Sequence, residues 1–111
     1  MPFPDTVRAL PRTELSGAPV YVHDDGRTQV LFIEVPPGRP AVVVPTHTHG
    51  LEWGFVSEGA IEMTIDGRVE LHRAGETHVI PAQIPHSFRI EPGTCSVHFF
   101  AERRVSFPPR S

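Results

Sequence analysis

Pro45-Thr46-His47-Thr48-His49-Gly50-Leu51-Glu52-Trp53-Gly54-Phe55-Val56-Ser57-Glu58-Gly59 is the stretch on which the reading of this chain turns. Two histidines alternate with threonine, a carboxylate follows three residues later, and an aromatic and apolar run comes after. On a β-strand, residues i and i+2 project to the same side. A strand here therefore aims the imidazoles of His47 and His49 at one point. Imidazole nitrogen and carboxylate oxygen both suit divalent first-row metals. The same alternation also fits a solvent-facing edge strand whose histidines bind nothing.

Working outward, short strands separated by turns account for most of the chain. Thirteen prolines and nine glycines among 111 residues leave little room for helices. Val20–His23 reads as a strand, Asp24-Asp25-Gly26 as a turn and Thr28–Val35 as a partly buried strand. Pro36-Pro37-Gly38-Arg39-Pro40 breaks the chain before Ala41–Val44 leads into the histidine pair. Trp53–Ser57 continues as strand. Ala60–Ile65 puts Ile61, Met63 and Ile65 on one face, and Asp66-Gly67 is a two-residue hairpin signal before Arg68–His72. Thr77–Ile80, His86–Ile90 and Thr94–Ala101 complete a set of eight or nine strands, with no convincing helix and no internal repeat. Strands joined by turns without crossover helices predict an antiparallel all-β fold, a double-sheet jelly-roll barrel at this size. The expected organisation is an extended N-terminal arm over 1–19, rich in proline and with room for one short strand, a barrel over 20–101 and a C-terminal tail over 102–111 that holds Pro108-Pro109.

Bulk properties exclude several roles. The length implies one domain with a modest core. A net charge of −3 and a longest basic cluster of Arg103-Arg104 argue against nucleic acid. No apolar run approaches the roughly 20 residues that span a bilayer, and the first residues lack the apolar stretch of a secretory signal. A cytoplasmic protein is expected. The single cysteine, Cys95, allows no internal disulfide and reads as a small buried hydrophobe rather than a reactive thiol. Seven histidines are many for such a chain.

Two segments together resemble the motifs of the cupin family. His47-Thr48-His49 supplies the HXH of its first motif, and six residues separate Glu52 from Gly59, as in E(X)6G. In the second motif Gly75 is followed by five residues and Pro81, and His86 takes the histidine position within Ile80-Pro81-Ala82-Gln83-Ile84-Pro85-His86-Ser87-Phe88. The likeness runs from about Pro36 to Phe100. It departs from the family at four places, the first being that Gly38 lies further from His47 than the family's first glycine does. Two residues, not three or four, separate His49 from Glu52, which by strand parity turns Glu52 to the opposite side unless the backbone bends at Gly50. Gln83 stands where the family has a glycine, at a turn position that wants positive φ. Ile90 replaces the closing asparagine.

The resemblance implies a barrel whose mouth holds one divalent transition metal (Fe, Mn, Ni, Zn or Cu) on His47, His49, Glu52 and His86. His86 shares its strand face with Phe88 and Ile90, where an imidazole needs partners for its nitrogens. His98, on a face with Ser96 and Phe100, is the candidate catalytic residue, lining the cavity either as a group behind the metal ligands or as a general base; the alternative is a hydrogen-bonded core histidine. His78 reads as structural, and His72 and His23 as surface residues. Trp53 and Phe55 face away from Glu52, for packing against the arm or a second subunit, or for stacking on a substrate. Gln83 reads either as a ligand contact or as a solvated loop residue. Ser57, Ser87 and Ser96 show no base defined by a motif.

Two functions follow. One is a metal-dependent enzyme of dioxygenase, isomerase or lyase type acting on a small oxygen-bearing molecule such as a sugar, keto acid or phenol. The other is a non-catalytic barrel that binds or senses a small ligand, and a barrel whose histidines hold no metal is a third possibility. A small molecule is the expected partner, and the proline-rich arms and the Trp53/Phe55 face suggest a homodimer.

Overall fold

The computed structural model describes residues 3–104. The tail residues Pro108-Pro109 lie outside them. Ten strands alternate with turns: β1 (Arg12–Leu15), β2 (Ala18–Asp24), β3 (Gln29–Val35), β4 (Val42–His47), β5 (Glu52–Glu58), β6 (Ala60–Ile65), β7 (Arg68–Arg73), β8 (Thr77–Ile80), β9 (His86–Ile90) and β10 (Thr94–Phe100). Every pairing is antiparallel. A six-stranded sheet runs β1-β2-β3-β10-β5-β8, and a four-stranded sheet runs β4-β9-β6-β7. The fold is a double-sheet jelly roll.

Alternation along the strands builds the core. Val20, Val22, Leu31, Ile33, Val35, Val56, Ile80 and Phe100 of the larger sheet meet Val42, Ile61, Met63, Ile65, Phe88 and Ile90 of the smaller one. On β6 the inward face is Ile61, Met63 and Ile65, as the sequence predicts. On β7 the apolar pair Val69 and Leu71 instead faces water at the edge of the smaller sheet.

Before residue 20 the chain forms a helical turn that the sequence reading lacks and the one short strand that it allowed. Asp5–Arg8 forms one helical turn, α1, entered from Pro4, whose carbonyl accepts the amide hydrogens of Val7 and Arg8. Arg12–Leu15 forms a strand, because Ser16 and Gly17 both take positive φ (50° and 82°) and close a two-residue hairpin onto β2. The arm packs on the body. Phe3 and the half-buried Val7 and Leu10 join Tyr21, Phe32, Phe55, Cys95 and Val97 in a second apolar cluster. Arg8 donates to Glu34 at 2.8 Å. Strand β10 is thereby covered on both faces. Cys95 lies buried in this cluster as a free thiol, and burial pushes its pKa up.

The residues after β10 also lie on the body. Arg103 donates twice to Asp24, at 2.7 and 2.9 Å. The amide of Arg104 donates to Gln29, and its guanidinium stands 5.9 Å from the Phe100 ring centre. Glu102 accepts the amide hydrogen of Gly50.

Candidate metal centre

The two motifs meet through strand pairing. His47 ends β4 and is the register partner of His86, the first residue of β9. The register shifts between Val44 and His47, so the end of β4 bulges toward the barrel end. His49 is not on the strand. The chain leaves β4 after His47, bends at Gly50 and opens β5 with Glu52. Strand parity between His49 and Glu52 therefore does not apply, and the short spacer places both inward. The bend needs no left-handed backbone at Gly50: the positive-φ residues lie elsewhere. What holds it is Glu102 on the Gly50 amide. The loop before His86 is tied to the same bend, since the Gln83 amide donates to the His49 carbonyl at 2.8 Å. Gln83 keeps the left-handed conformation (φ 63°), and its side chain is exposed.

The rings of His47, His49 and His86 converge, with centroids 4.3–5.1 Å apart. Each uses Nδ1 on a nearby backbone carbonyl: His47 on Pro45 at 2.7 Å, His49 on Gly50 at 2.6 Å and His86 on Ile84 at 2.8 Å. A carbonyl only accepts, so these bonds assign a hydrogen to Nδ1 in all three rings, and in a neutral ring Nε2 is then left with a lone pair. Burial lowers the pKa of His86 and favours its neutral form. The bare Nε2 atoms of His49 and His86 face each other at 2.9 Å, and Glu52 Oε1 stands 3.2 Å from His49 Nε2. Oε1 is buried with no hydrogen-bond partner.

The other oxygen of Glu52 is fully engaged. Oε2 accepts from His98 Nδ1 at 2.8 Å and His78 Nε2 at 3.0 Å. His98 Nε2 in turn accepts from the Ser96 hydroxyl at 2.8 Å. Glu52, Ser96, His98 and His78 are all buried. Burial alone pushes the Glu52 carboxyl up, but the hydrogen bonds and charge of His78 and His98 outweigh it and hold the group well below the usual carboxylate range. Glu52 is thus a buried anion. Ser96, His98 and Glu52 form a Ser-His-Glu chain, yet a hydroxyl with no exposure cannot meet an acyl substrate.

Register explains the second group. His98 of β10, Gly54 of β5 and His78 of β8 are consecutive cross-strand partners. Gly54 offers no side chain, so the two imidazoles lean toward Glu52 two residues away. A Cβ at Gly54 runs into the Val97 carbonyl and comes within 3.0 Å of the His78 ring. Phe88 lies against His86, His98 and His78, with ring centres 5.5, 5.9 and 6.3 Å away, and keeps the network dry.

Among the described residues, two sets of donor atoms lie within 4.8 Å of one another, His47/His49/His86 and Glu52/His78/His98, and Glu52 joins them. The sequence brought His47, His49, Glu52, His86 and His98 forward, and all five are in this assembly. It set His78 aside as structural and left Ser96, Gly54 and Glu102 without a role. The signal for His78 and Ser96 was their inward parity with Ile80 and His98. Gly54 and Glu102 carried none, since their contacts are long-range. His23 is exposed, and His72 is half-buried against Glu70.

The family model for a cupin domain matches residues 31–101. The chain is a cupin. Its jelly roll superposes on an RmlC-like cupin from Shewanella frigidimarina with TM-score 0.74 and 16% identity, covering 87% of each chain. KdgF from Halomonas sp. gives 0.73 and 19% identity, covering 87% of this chain and 90% of that one. Oxalate decarboxylase of Bacillus subtilis, a protein with Mn(II) centres, gives 0.68 and 18%; the cupin described here spans about 30% of its length. At these identities the likeness is one of fold. No curated protein matches the sequence. No helix among the described residues is long and apolar enough to cross a membrane.

Proposed function

We propose that this cupin holds one divalent transition metal on His47, His49, Glu52 and His86 and uses it on a small oxygen-bearing molecule. The observation that carries the reading is the unpartnered, buried Oε1 of an ionised Glu52, set against imidazole nitrogens that have no hydrogen to offer it. With Nε2 unprotonated in these rings, lone pairs at 2.9 and 3.2 Å repel unless a cation lies among them. The spacing fits one. Two donors at right angles on a shared ion, with bonds of about 2.1 Å, stand about 3.0 Å apart. Imidazole and carboxylate together suit Fe, Mn, Ni, Zn or Cu.

The bound ion would supply Lewis acidity toward a substrate oxygen, or, if it is Fe(II), activation of O₂. The protein supplies the rest. Three Nδ1 hydrogen bonds fix the rings, the β4–β9 register fixes their separation, and Phe88 and Phe100 exclude water from one side. Isomerase, lyase and dioxygenase chemistry are all compatible with such a site, on sugars, keto acids or phenols. His98 has no nitrogen left over, since both are hydrogen-bonded, which favours the hydrogen-bonded supporting histidine among its readings over the general base.

The test is elemental analysis of protein purified without chelator, followed by a turnover panel that includes O₂ uptake. About one metal per chain, and turnover abolished by His49→Ala, support the enzyme. Bound metal with no turnover across the panel would favour a barrel that only binds its ligand.

We also propose a homodimer. Trp53 stacks on Phe99 (4.2 Å, 10°) on the outer face of the larger sheet, with Leu51 and Val79 exposed beside it. A shallow groove of about 250 Å³ runs between Val30, Leu51, Trp53 and Phe99. A second copy covering this face is the proposed occupant, and a monodisperse monomer at micromolar concentration would refute it.

A further inference from the structure

The inward network beyond the ligand set divides the two oxygens of Glu52. Oε2 takes two N–H donors, from His98 and His78, while Oε1 alone faces the bare nitrogen of His49. The donors are themselves fixed. The Ser96 hydroxyl occupies His98 Nε2 and so commits the His98 hydrogen to Nδ1. His78 Nδ1 is buried without a partner, so the only favourable place for its single hydrogen is Nε2, against Glu52. Gly54 leaves the room that lets both rings reach the same oxygen.

We propose that His98, His78 and Ser96 are positioning residues that restrict Glu52 to attachment through Oε1, and thereby keep a place beside the metal open for a small ligand. This rests on the metal reading above. A carboxylate free of such restraint can turn and offer both oxygens, which fills a position that a ligand would otherwise take. The device is built from side chains that never touch the ion. Its signature is therefore a change in how the metal is held, with the ion still bound.

The donors sit at different ring positions, and this makes the idea testable with conservative variants. The amide nitrogen of asparagine falls near the place of a histidine Nδ1, and that of glutamine near Nε2. His98→Asn and His78→Gln keep the donor; His98→Leu and His78→Leu remove it. Ser96→Ala removes only the hydroxyl that fixes the His98 tautomer.

The experiment loads each protein with Mn(II) alone, confirms folding by the melting temperature of the metal-free form, and records the EPR spectrum, the metal affinity and the water-proton relaxation of the bound ion. The leucine variants are expected to change the EPR line shape, to lower the relaxation because exchangeable water is displaced, and to alter affinity by about 10- to 100-fold. Ser96→Ala shifts the spectrum in the same direction by less, and the Asn and Gln variants restore the wild-type spectrum. Leucine variants and Ser96→Ala that fold and match wild type in spectrum and relaxation would overturn the proposal. So would Asn and Gln variants that behave as the leucine ones do. Should the leucine variants not fold, Ser96→Ala decides alone. Wild-type protein that takes up no Mn(II) or other divalent metal overturns the metal reading itself, a result separate from every outcome in the variants.

Discussion

Gly54→Ala is the substitution for which the structure gives the sharpest forecast. The added Cβ meets the Val97 carbonyl, a backbone group of β10 locked between β3 and β5 by ladders on both sides. It also comes within 3.0 Å of the His78 ring. Neither neighbour has a free direction in which to move. Overpacking of this kind costs about 1–3 kcal/mol, and for a domain of this size each kcal/mol lowers Tm by roughly 4–8 °C. Gly50→Ala is the control. Its Cβ meets only the Glu102 carboxylate, at 2.9 Å, the far end of a flexible side chain, and φ there is not positive. The carboxylate can swing aside and keep its bond to the Gly50 amide, so the cost should be a fraction of the about 1.5–3 kcal/mol that a hydrogen bond to a charged group is worth. Calorimetry of the metal-free proteins reads both. The expectation is a fall in Tm for Gly54→Ala that clearly exceeds that for Gly50→Ala. Equal shifts, or a Gly54→Ala protein within a degree or two of wild type, would show that β5 and β10 can part, and the packing argument for the His98–Gly54–His78 row would fail.

Further expectations concern positions away from the ligands. Gln83 spends about 1 kcal/mol in a left-handed conformation while its side chain is exposed, so Gln83→Gly should leave Tm unchanged or raise it by a few degrees; a drop would show that the side chain contributes contacts of its own. Cys95 is buried and its thiol pKa raised, so native protein should label with a thiol reagent far more slowly than unfolded protein, and fast native labelling would contradict its place under the arm. Asp24, held by hydrogen bonds from Arg103, Gln29 and the Gly26 amide, has its carboxyl lowered from 3.8 to about 2. A depressed folded pKa gives stability that is present above pH 4 and lost as pH falls through about 2. Asp24→Asn should therefore flatten the acid limb of the stability curve, and an unchanged limb would place Arg103 away from Asp24 in solution.

Much of the architecture was legible because period-2 patterns and turn chemistry are local. Asp66-Gly67, with φ of 49° and 79°, makes the hairpin its sequence announces, and β6, β8 and β9 begin and end where alternation says. The first hairpin was half legible: the arm reads as extended with room for one short strand, but its four prolines hide where that strand lies, and Ser16-Gly17 is a weaker turn signal than Asp-Gly. Parity misled at Glu52 for a definite reason: the rule holds within one strand, and β4 stops at His47. His86 was readable from its apolar face-mates. The partnership of His78 and His98 through Glu52 was not, since it depends on the β10-β5-β8 register and on the empty side of Gly54. The role of Glu102 on Gly50 joins residues 52 positions apart, a contact that no local pattern encodes.

The most direct measurement is anomalous diffraction from a crystal of the protein loaded with a transition metal, collected at that metal's absorption edge. The account predicts a single strong peak within bonding distance of the Nε2 atoms of His47, His49 and His86 and of Glu52 Oε1. No peak there, or one seated instead among Glu52, His78 and His98, would contradict it.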